Sequence, residues 1–586
     1  MALQIWLPLN GDLTNQGLSN VTVTNNGATV DNNGKIGKCY RFDGDVYLNL
    51  SKGMDTTKDY SICYWVKEFE NNTLGQFRVV YQCGGLIVGQ YGTYLNIYNG
   101  SGSGLDVTAA IDTTTWHHAC FTFQSSENLV TIYIDGKYAT SKTVTSIPTS
   151  SSSAVIGKRS SGTHLFQGTL NDFRIYDHCL SQKEVQELAK GLVLHYRLAG
   201  PGQPNLIKAS GPNEDGWGIN QSGGVFTKTI TSECTSFEVT TQATSWFLYY
   251  HKFSNLSSVG LKPNTQYTYS FDCKSNQSFT LNIKLLKGNG TSNLTNAKDV
   301  RIEGDNEWHR YKVTLTTNAT LDISDQYFYM TGGNVLSKTH FRYAKFEEGP
   351  IATPWTPHSS DTLWTTMGYS NNIEYDCSGY KHNGTPVSTT TRPTWDADSP
   401  RYTTSFNYSG KTSQANYTTS TDMNFTDNFS WAIWIKPNYT AGSAQYVFTG
   451  GRADAGGYGY GLQVASATSC TIFYGNNGRY AVGAKSGEWH HVAFTKAGTT
   501  CKCYLDGKLI STNTFGGTNP TYSDGNGVGI GCFHYTGDIY PYFGKASDLR
   551  IYATCLSDDD IAELYRSAVI IDNTGKTYAY EYFEAT

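Results

Sequence analysis

Charge is scarce in this sequence. Asp, Glu, Lys and Arg make up 16% of its 586 residues, against the quarter or so usual in globular domains. With 44 basic and 49 acidic residues the net charge is −5, which argues against nucleic-acid binding through a basic surface. Long apolar runs are missing as well. No window reaches the ~18 continuous apolar residues of a membrane-spanning helix, so membrane insertion is not expected. Residues 1–8 carry neither a basic segment nor a long apolar one, so no secretory signal is expected and the chain should be made in a cytosol. Low-complexity sequence stops at the short run Ser150 to Ser153, and the aliphatic and aromatic content is too high for a disordered chain. Tandem Cys-x-x-Cys pairs are absent. The 13 cysteines are odd in number and spread singly, several inside alternating apolar runs such as that around Cys63, and they read as buried free thiols. Sequons such as those at Asn49 and Asn293 follow from composition and are expected to carry no glycan.

Aromatics are abundant, at 14% with 42 Tyr, and 60 Gly join a polar fraction rich in Ser, Thr and Asn. That mixture favours strands and turns over helices. The length gives a prior of about four domains. Internal self-similarity then organises the two ends of the chain. The block WHHACFT at 116–122 returns as WHHVAFT at 489–495. VTIYIDGK at 130–137 is answered by CKCYLDGK at 501–508, and FxGxxxDFRIYxxCLS at 166–181 by YxGxxxDLRIYxxCLS at 542–557. Three blocks in one order at a nearly constant offset make a duplicated domain.

Each block reads as strand. Val130, Ile132 and Ile134 alternate with Thr131, Tyr133 and Asp135, so the aliphatics share one face. The following Asp-Gly, with Gly136 or Gly507, predicts a tight hairpin turn. His117 and His118 are adjacent on a strand and point apart, which suits structural histidines better than joint metal ligands. The segments 181–188 and 557–565 predict one short helix each, with Ser181 and Ser557 as N-caps and acidic residues in the first turn.

The opening strand of a second copy is expected near 191–198, because GLVLHYRL resembles LQIWLPL at 3–9. Its continuation comes much later, from the polar turn at 376–384 onward. The expected organisation is therefore a first sandwich at 1–190, the opening strand of the second at 191–200 and an inserted β-sandwich at 201–357. The remainder of the second copy follows at 358–570, and a terminal strand or tail at 571–586. The insertion begins at PNLI (204–207) and ends in the proline-rich stretch 348–357, where prolines bar helix. The tail strand at 576–584 is expected to complete its own domain or to pair with a sheet edge on another chain.

The repeated blocks resemble the laminin-G-like, concanavalin-A-like lectin jelly roll. The middle segment is similar to carbohydrate-binding-module-like sandwiches of phage and prophage tail-fibre and virion surface proteins. The resemblance implies an all-β protein of three β-sandwich domains, two of them laminin-G-like repeats. It also implies a virion location, with assembly in a bacterial host cytoplasm and later release. Other virion proteins become expected partners, and a homo-oligomer becomes an expected state. The same sandwich serves lectins, glucanases, adhesion modules and spacers, so function must be argued from a site.

Glucanases of this fold resemble one another in a strand that carries carboxylates on one face, Glu-x-Asp-x-x-Glu or Glu-x-Asp-x-Glu. The nearest match is Glu374 with Asp376, which lacks a third Glu and reads as a turn. Glu347 and Glu348 are adjacent and would face apart. No catalytic residue is assigned. Ca²⁺ is the cofactor the resemblance implies, without assignable ligands, since Asp172 and Asp548 read more simply as internal ion pairs or turn residues beside Arg174 and Arg550.

Glycan recognition needs flat apolar faces beside hydrogen-bonding groups, and Tyr and Trp on loops supply them. Candidates are Tyr458 and Tyr460 in the glycine-rich stretch 450–461, and Phe533, Tyr535 and Tyr540 in the loop 533–542, where Tyr542 reads as core. In the middle domain Trp217 and Trp246 are candidates, with Tyr249 and Tyr250 beside them. The expected function is non-enzymatic binding of host-surface or cell-wall glycans by a phage virion surface or tail-fibre protein. A purely structural capsid or tail decoration and a cell-wall glycosidase are the rival readings.

Overall fold

A computed structural model describes residues 3–571 and 577–579, apart from 69–76, 101–105, 113, 199–204, 212–213, 254–260, 288–292, 322–325, 349–354, 356–357, 359–373, 375, 377, 389–390, 392, 397, 401–404, 443, 452–458, 521, 523–526, 534–539 and 567–568. The chain divides into two compact units. Residues 1–198, 373–401 and 405–586 form one, and residues 199–372 with 402–404 form the other. The fold is all-β, and among the described residues no helix is long and apolar enough to cross a membrane.

The first unit holds both copies of the repeat. In the eight-stranded sheet of the first copy, Gln167–Tyr176 lies between Tyr60–Glu68 and Cys39–Asp43, Thr29–Asp31 pairs with the latter at one edge, and Leu3–Leu7 also pairs with Gln167–Tyr176. The sheet continues through His117–Gln124 and Leu129–Ile134 to its edge at Lys137–Thr143. A seven-stranded sheet faces it, in the order Asp106–Ala110, Tyr94–Asn99, Leu86–Tyr91, Phe77–Cys83, Ala154–Ile156, Tyr47–Leu50, Val23–Asn26. Ile62, Tyr64, Ala119, Phe121 and Phe173 from one sheet close on Val80, Val88 and Ile97 from the other. This is the two-layer burial of period-two strands. The second copy repeats the plan. There Leu192–Tyr196 hydrogen-bonds to Phe543–Tyr552, as Leu3–Leu7 does to Gln167–Tyr176.

The repeated sequence blocks turn out to be joined devices. Asp135 and Gly136 both take positive φ, 51° and 77°, as do Asp506 and Gly507 at 50° and 73°, which is the backbone a two-residue hairpin turn requires. The Asp135 carboxylate also reaches the His-His block, accepting from the His118 N–H at 2.9 Å and bonding His117 Nδ1 at 2.7 Å. Asp506 does the same to His491 N–H at 2.9 Å and His490 Nδ1 at 3.0 Å. His117 and His118 do point apart. His118 is buried edge-on against Trp65, and burial pushes its pKa down to about 4. The helices are Gln182–Ala189 and Asp558–Arg566. Ser181 and Glu184 form a reciprocal capping box, and Ser557 with Asp560 repeats it.

Asp172 and Asp548 are buried ion-pair residues. Each sits in a β-bulge at positive φ, 53° and 56°, a backbone Asp tolerates better than most residues. Arg174 Nε donates to Asp172 Oδ1 at 3.0 Å and Arg550 Nε to Asp548 Oδ1 at 2.8 Å. The third partner differs, being Trp6 Nε1 at 2.7 Å in the first copy and His195 Nε2 at 2.9 Å in the second. The copies touch one another within their unit. Trp6 meets Tyr380 edge-on at 5.2 Å, Asn10 Nδ2 donates to Asp422 at 2.9 Å, and Lys183 pairs with Glu563 at 3.4 Å.

In the second unit two five-stranded sheets enclose a core of Trp217, Phe237, Tyr249, Phe271, Phe328 and Phe341. Glu347 is fully buried 3.5 Å from Lys345, while its neighbour Glu348 reaches Lys262 at 2.7 Å near the surface. The described cysteines are free, and all but Cys179 and Cys555 are buried. Pro204 and most of 349–357 lie outside the described residues. Of the tail, Thr577–Ala579 pairs with Val569–Ile571.

Candidate functional site

Each seven-stranded sheet turns one face into its sandwich and the other outward. In the second copy Phe448, Leu462, Val464, Cys470, Ile472 and Tyr474 point inward. The alternate positions, Tyr446, Gln463, Thr471, Phe473 and Arg479, therefore share the outer face. Phe473 lies over Gly461, directly opposite it in the ladder, where a Cβ would stand 2.8 Å from the ring and 2.2 Å from the Phe448 carbonyl oxygen. Only glycine lets that ring rest on the sheet.

At Tyr446 the strand bulges. The Tyr446 N–H, displaced from the ladder, donates to the Tyr540 carbonyl at 3.1 Å. Tyr540 is held at φ 54° and is 47% exposed. The bulge thus fastens Tyr540 to the sheet. Tyr446 is 4.7 Å from Phe533, 5.6 Å from Phe473 and 5.9 Å from Tyr540, and the Arg479 guanidinium stands 5.6 Å over Phe473. The result is an aromatic cluster in which Phe473 and Phe533 are buried, Tyr446 is half-buried and Tyr540 is exposed at the edge, with Gln463, Thr471 and Arg479 beside it. Such a surface can stack on the C–H face of a sugar ring while donating and accepting hydrogen bonds around it.

In the central unit Tyr250 lies over Gly218, where a Cβ would fall 2.2 Å from the ring. Tyr250 is opposite Tyr329, and Tyr329 opposite Lys284. A second flat aromatic row therefore crosses the outer face of that sheet.

The expected site residues separate into four groups. Phe533 and Tyr540 lie together on the second copy's outer face, but only Tyr540 is exposed; Phe533 is a correction, a buried ring packed against Tyr446. Trp246 is exposed to 45%, at a turn where its carbonyl accepts from the Ser222 N–H at 3.0 Å. Tyr460 and Trp217 are corrections. Tyr460 has no exposure and its hydroxyl donates to the Met423 carbonyl at 3.0 Å, while Trp217 is 1% exposed and stacks on Phe341 at 4.5 Å. Both occupy the inward phase of their strands, so neither ring offers a sugar a face. Tyr249 is buried with Trp217. Tyr458 and Tyr535 lie outside the described residues. Tyr446, Phe473 and Tyr329 were not singled out from the sequence, though each is a large aromatic in the outward phase of an alternating strand.

The carboxylates nearest to a glucanase pattern are committed elsewhere. Glu374 accepts from the Leu198 N–H at 2.9 Å, and burial pushes its pKa up to about 8. Asp376 accepts from the N–H groups of His195 at 2.9 Å, Ser378 at 2.9 Å and His382 at 3.1 Å, and from the Ser378 hydroxyl at 2.6 Å. Both are buried and close the turn that follows the opening strand. Among the described residues no three His, Cys, Asp or Glu side chains gather as a metal site.

Comparison with known proteins agrees with the sandwiches. Residues 209–338 match the family described as carbohydrate binding domain. No curated protein matches the chain. Among solved structures, domain 4 of AbnA, a GH43 extracellular arabinanase from Geobacillus stearothermophilus, in complex with arabinotriose, is 21% identical, with a TM-score of 0.27 over 32% of this chain and 98% of that one. The binding domain of botulinum neurotoxin DC in complex with rat synaptotagmin II is 11% identical, with a TM-score of 0.28 over 58% and 98%. The binding domain of Paraclostridial Mosquitocidal Protein 1 is 14% identical, with a TM-score of 0.28 over 56% and 97%. Residues 42–186 and 409–562, together slightly more than half of the chain, match the concanavalin A-like lectin/glucanases superfamily, and the protein belongs to that superfamily.

Proposed function

We propose that the protein is a non-enzymatic component of a phage virion surface or tail fibre that binds host-surface glycans. The observation that carries the binding role is the outer face of the second copy, where Tyr446, Phe473, Phe533 and Tyr540 assemble on a lectin-superfamily sandwich. The carbohydrate binding domain match of the central unit, with Tyr250 flat on Gly218, supports the same role. The non-enzymatic reading is supported by Glu374 and Asp376, whose oxygens are spent on backbone N–H groups. The phage setting draws its support from the resemblance of the central segment to tail-fibre modules.

The test is binding of the purified chain to wall polysaccharides and intact cells of a Gram-positive panel, with and without Ca²⁺, alongside an assay for released reducing sugar. Saturable binding without sugar release is expected. Tyr540→Ala should weaken it by about tenfold, the worth of one stacked aromatic contact, with no change in melting temperature. Absence of binding by a folded sample would turn the assignment to structural decoration, and sugar release would turn it to a glycosidase.

A further inference from the structure

The face that carries aromatics in the second copy has a counterpart in the first, and the two can be matched residue by residue. In the first copy Gly157 N–H donates to the Val80 carbonyl at 2.9 Å, Phe166 N–H to the Gly157 carbonyl at 2.8 Å, and Val79 N–H at a bulge to the His164 carbonyl at 3.0 Å. In the second copy Gly531 N–H donates to Val447 at 2.8 Å, Tyr542 N–H to Gly531 at 2.8 Å, and Tyr446 N–H to Tyr540 at 3.1 Å. His164 also repeats the positive φ of Tyr540, 57° against 54°. The frame fixes the correspondence. His164 stands where Tyr540 stands, and counting from the glycine, Lys158 and Arg159 stand where Cys532 and Phe533 stand.

The floor of the first-copy face remains aromatic. Phe77 packs edge-on against Tyr98 at 4.7 Å and lies 6.1 Å from His164. Gly89 is opposite Asn96 in the ladder, and a Cβ there would meet the Phe77 ring at 3.1 Å. The rim has changed its chemistry. Lys158 Nζ rests 3.2 Å over the Tyr47 ring, and Arg159 spends one N–H on the Gly100 carbonyl at 3.4 Å. Neither cation has a carboxylate within ion-pairing distance among the described residues. The carboxylate opposite Tyr98 in the ladder, Asp106, is held by Asn96 Nδ2 at 3.2 Å. The Asn96 side-chain oxygen, shielded from solvent on the same face, has no donor among the described residues. The loop is pinned rather than loose, with Ser160 N–H on Gln82 Oε1 at 2.7 Å and Arg159 N–H on the Thr163 carbonyl at 3.0 Å.

We infer that the first copy's outer face binds an acidic saccharide, with a sugar ring against Phe77 and Tyr98 and its carboxylate or phosphate on Arg159, while the second copy's face binds a neutral one. A guanidinium with no carboxylate partner among the described residues, beside an aromatic floor, forms a complementary surface for a ring bearing an anionic group. The inference rests on the glycan-binding reading of these sandwiches and adds a division of labour between them.

The experiment is calorimetric titration of the full chain with trigalacturonate, its methyl-esterified form, a mannose-6-phosphate-terminated trisaccharide, and a panel of neutral oligosaccharides. Trigalacturonate, the phosphorylated trisaccharide or both should bind, and raised salt should weaken them. Arg159→Ala should weaken that binding about tenfold, the loss of one charge-assisted hydrogen bond, and leave neutral ligands untouched. Tyr540→Ala should do the reverse. Which acidic probe binds identifies the anionic group. If neutral ligands bind through Tyr540 and no acidic probe binds, the inference is overturned and the glycan-binding reading stands. Acidic binding indifferent to Arg159→Ala overturns it equally. If no saccharide binds at all, both readings fall together.

Discussion

The two copies of the jelly roll keep the same backbone solutions and exchange the side chains those solutions do not need. In each, an Asp at positive φ sits in a bulge and accepts from an Arg two residues on, but its other donor is Trp6 in one copy and His195 in the other. In each, a left-handed residue caps a bulge with its carbonyl, but its side chain is His164 in one and Tyr540 in the other. What repeats is what satisfies a backbone group or neutralises a buried charge. What varies is the part that faces outward or only fills space.

The largest test strikes the shared scaffold. Asp172→Ala and Asp548→Ala each strand a buried guanidinium, which typically costs about 3–5 kcal/mol, and chemical denaturation should show losses of similar size. A much smaller loss at Asp172 would break the equivalence. Next comes pH, where the copies should diverge. Burial raises Glu374, in the second copy, to about 8 from an ordinary 4.5. Its contribution to stability is therefore full below pH 4.5 and lost as pH rises to 8. His118, in the first copy, is lowered to about 4 from 6.5, so its contribution is full above pH 6.5 and lost as pH falls to 4. Hydrogen exchange should show the strand Tyr60–Glu68 losing protection in acid and Leu192–Tyr196 losing it toward neutrality. Glu374→Gln, which keeps an acceptor for the Leu198 N–H, should flatten the second profile alone.

A smaller effect sharpens the division of outer faces. Converting the first-copy rim with Arg159→Phe and His164→Tyr should reduce acidic-saccharide binding by about tenfold and add weak affinity for the second copy's neutral ligand, measured by calorimetry in the Tyr540→Ala background. The smallest concerns the helices. Ser181→Ala and Ser557→Ala each remove an N-cap worth about 1 kcal/mol, and the two losses should agree, since both caps have the same reciprocal geometry.

Much of the fold was legible because strand alternation and turn chemistry are local. Val130, Ile132 and Ile134 announced a strand, Asp135 with Gly136 its hairpin, and Ser181 with Glu184 the start of a helix, each from neighbours within a few residues. Asp172 and Asp548 were readable as ion-pair residues because Arg174 and Arg550 are two positions away. The site was less legible. Phe533 and Tyr540 were found as aromatics crowded into a loop, whereas Tyr446 and Phe473 looked like ordinary strand residues. Tyr460 and Trp217 were misplaced for the converse reason. A Gly-rich neighbourhood suggested a loop for Tyr460, although its alternation with Leu462 and Val464 put it in the buried phase.

By itself the sequence determined the duplicated all-β sandwich, its hairpins and its helix caps, because those follow from period two, φ preferences and contacts between near neighbours. Only the tertiary structure decided which phase faces inward, because both faces of the eight-stranded sheets carry buried side chains: Phe121 lies within the sandwich while Cys120, its neighbour, is buried on the other side. Only it joined the His-His block to the Asp-Gly turn, and Tyr446 to a loop almost a hundred residues away. Those contacts depend on chain segments brought together by burial, and nothing in the local chemistry of either partner specifies the other.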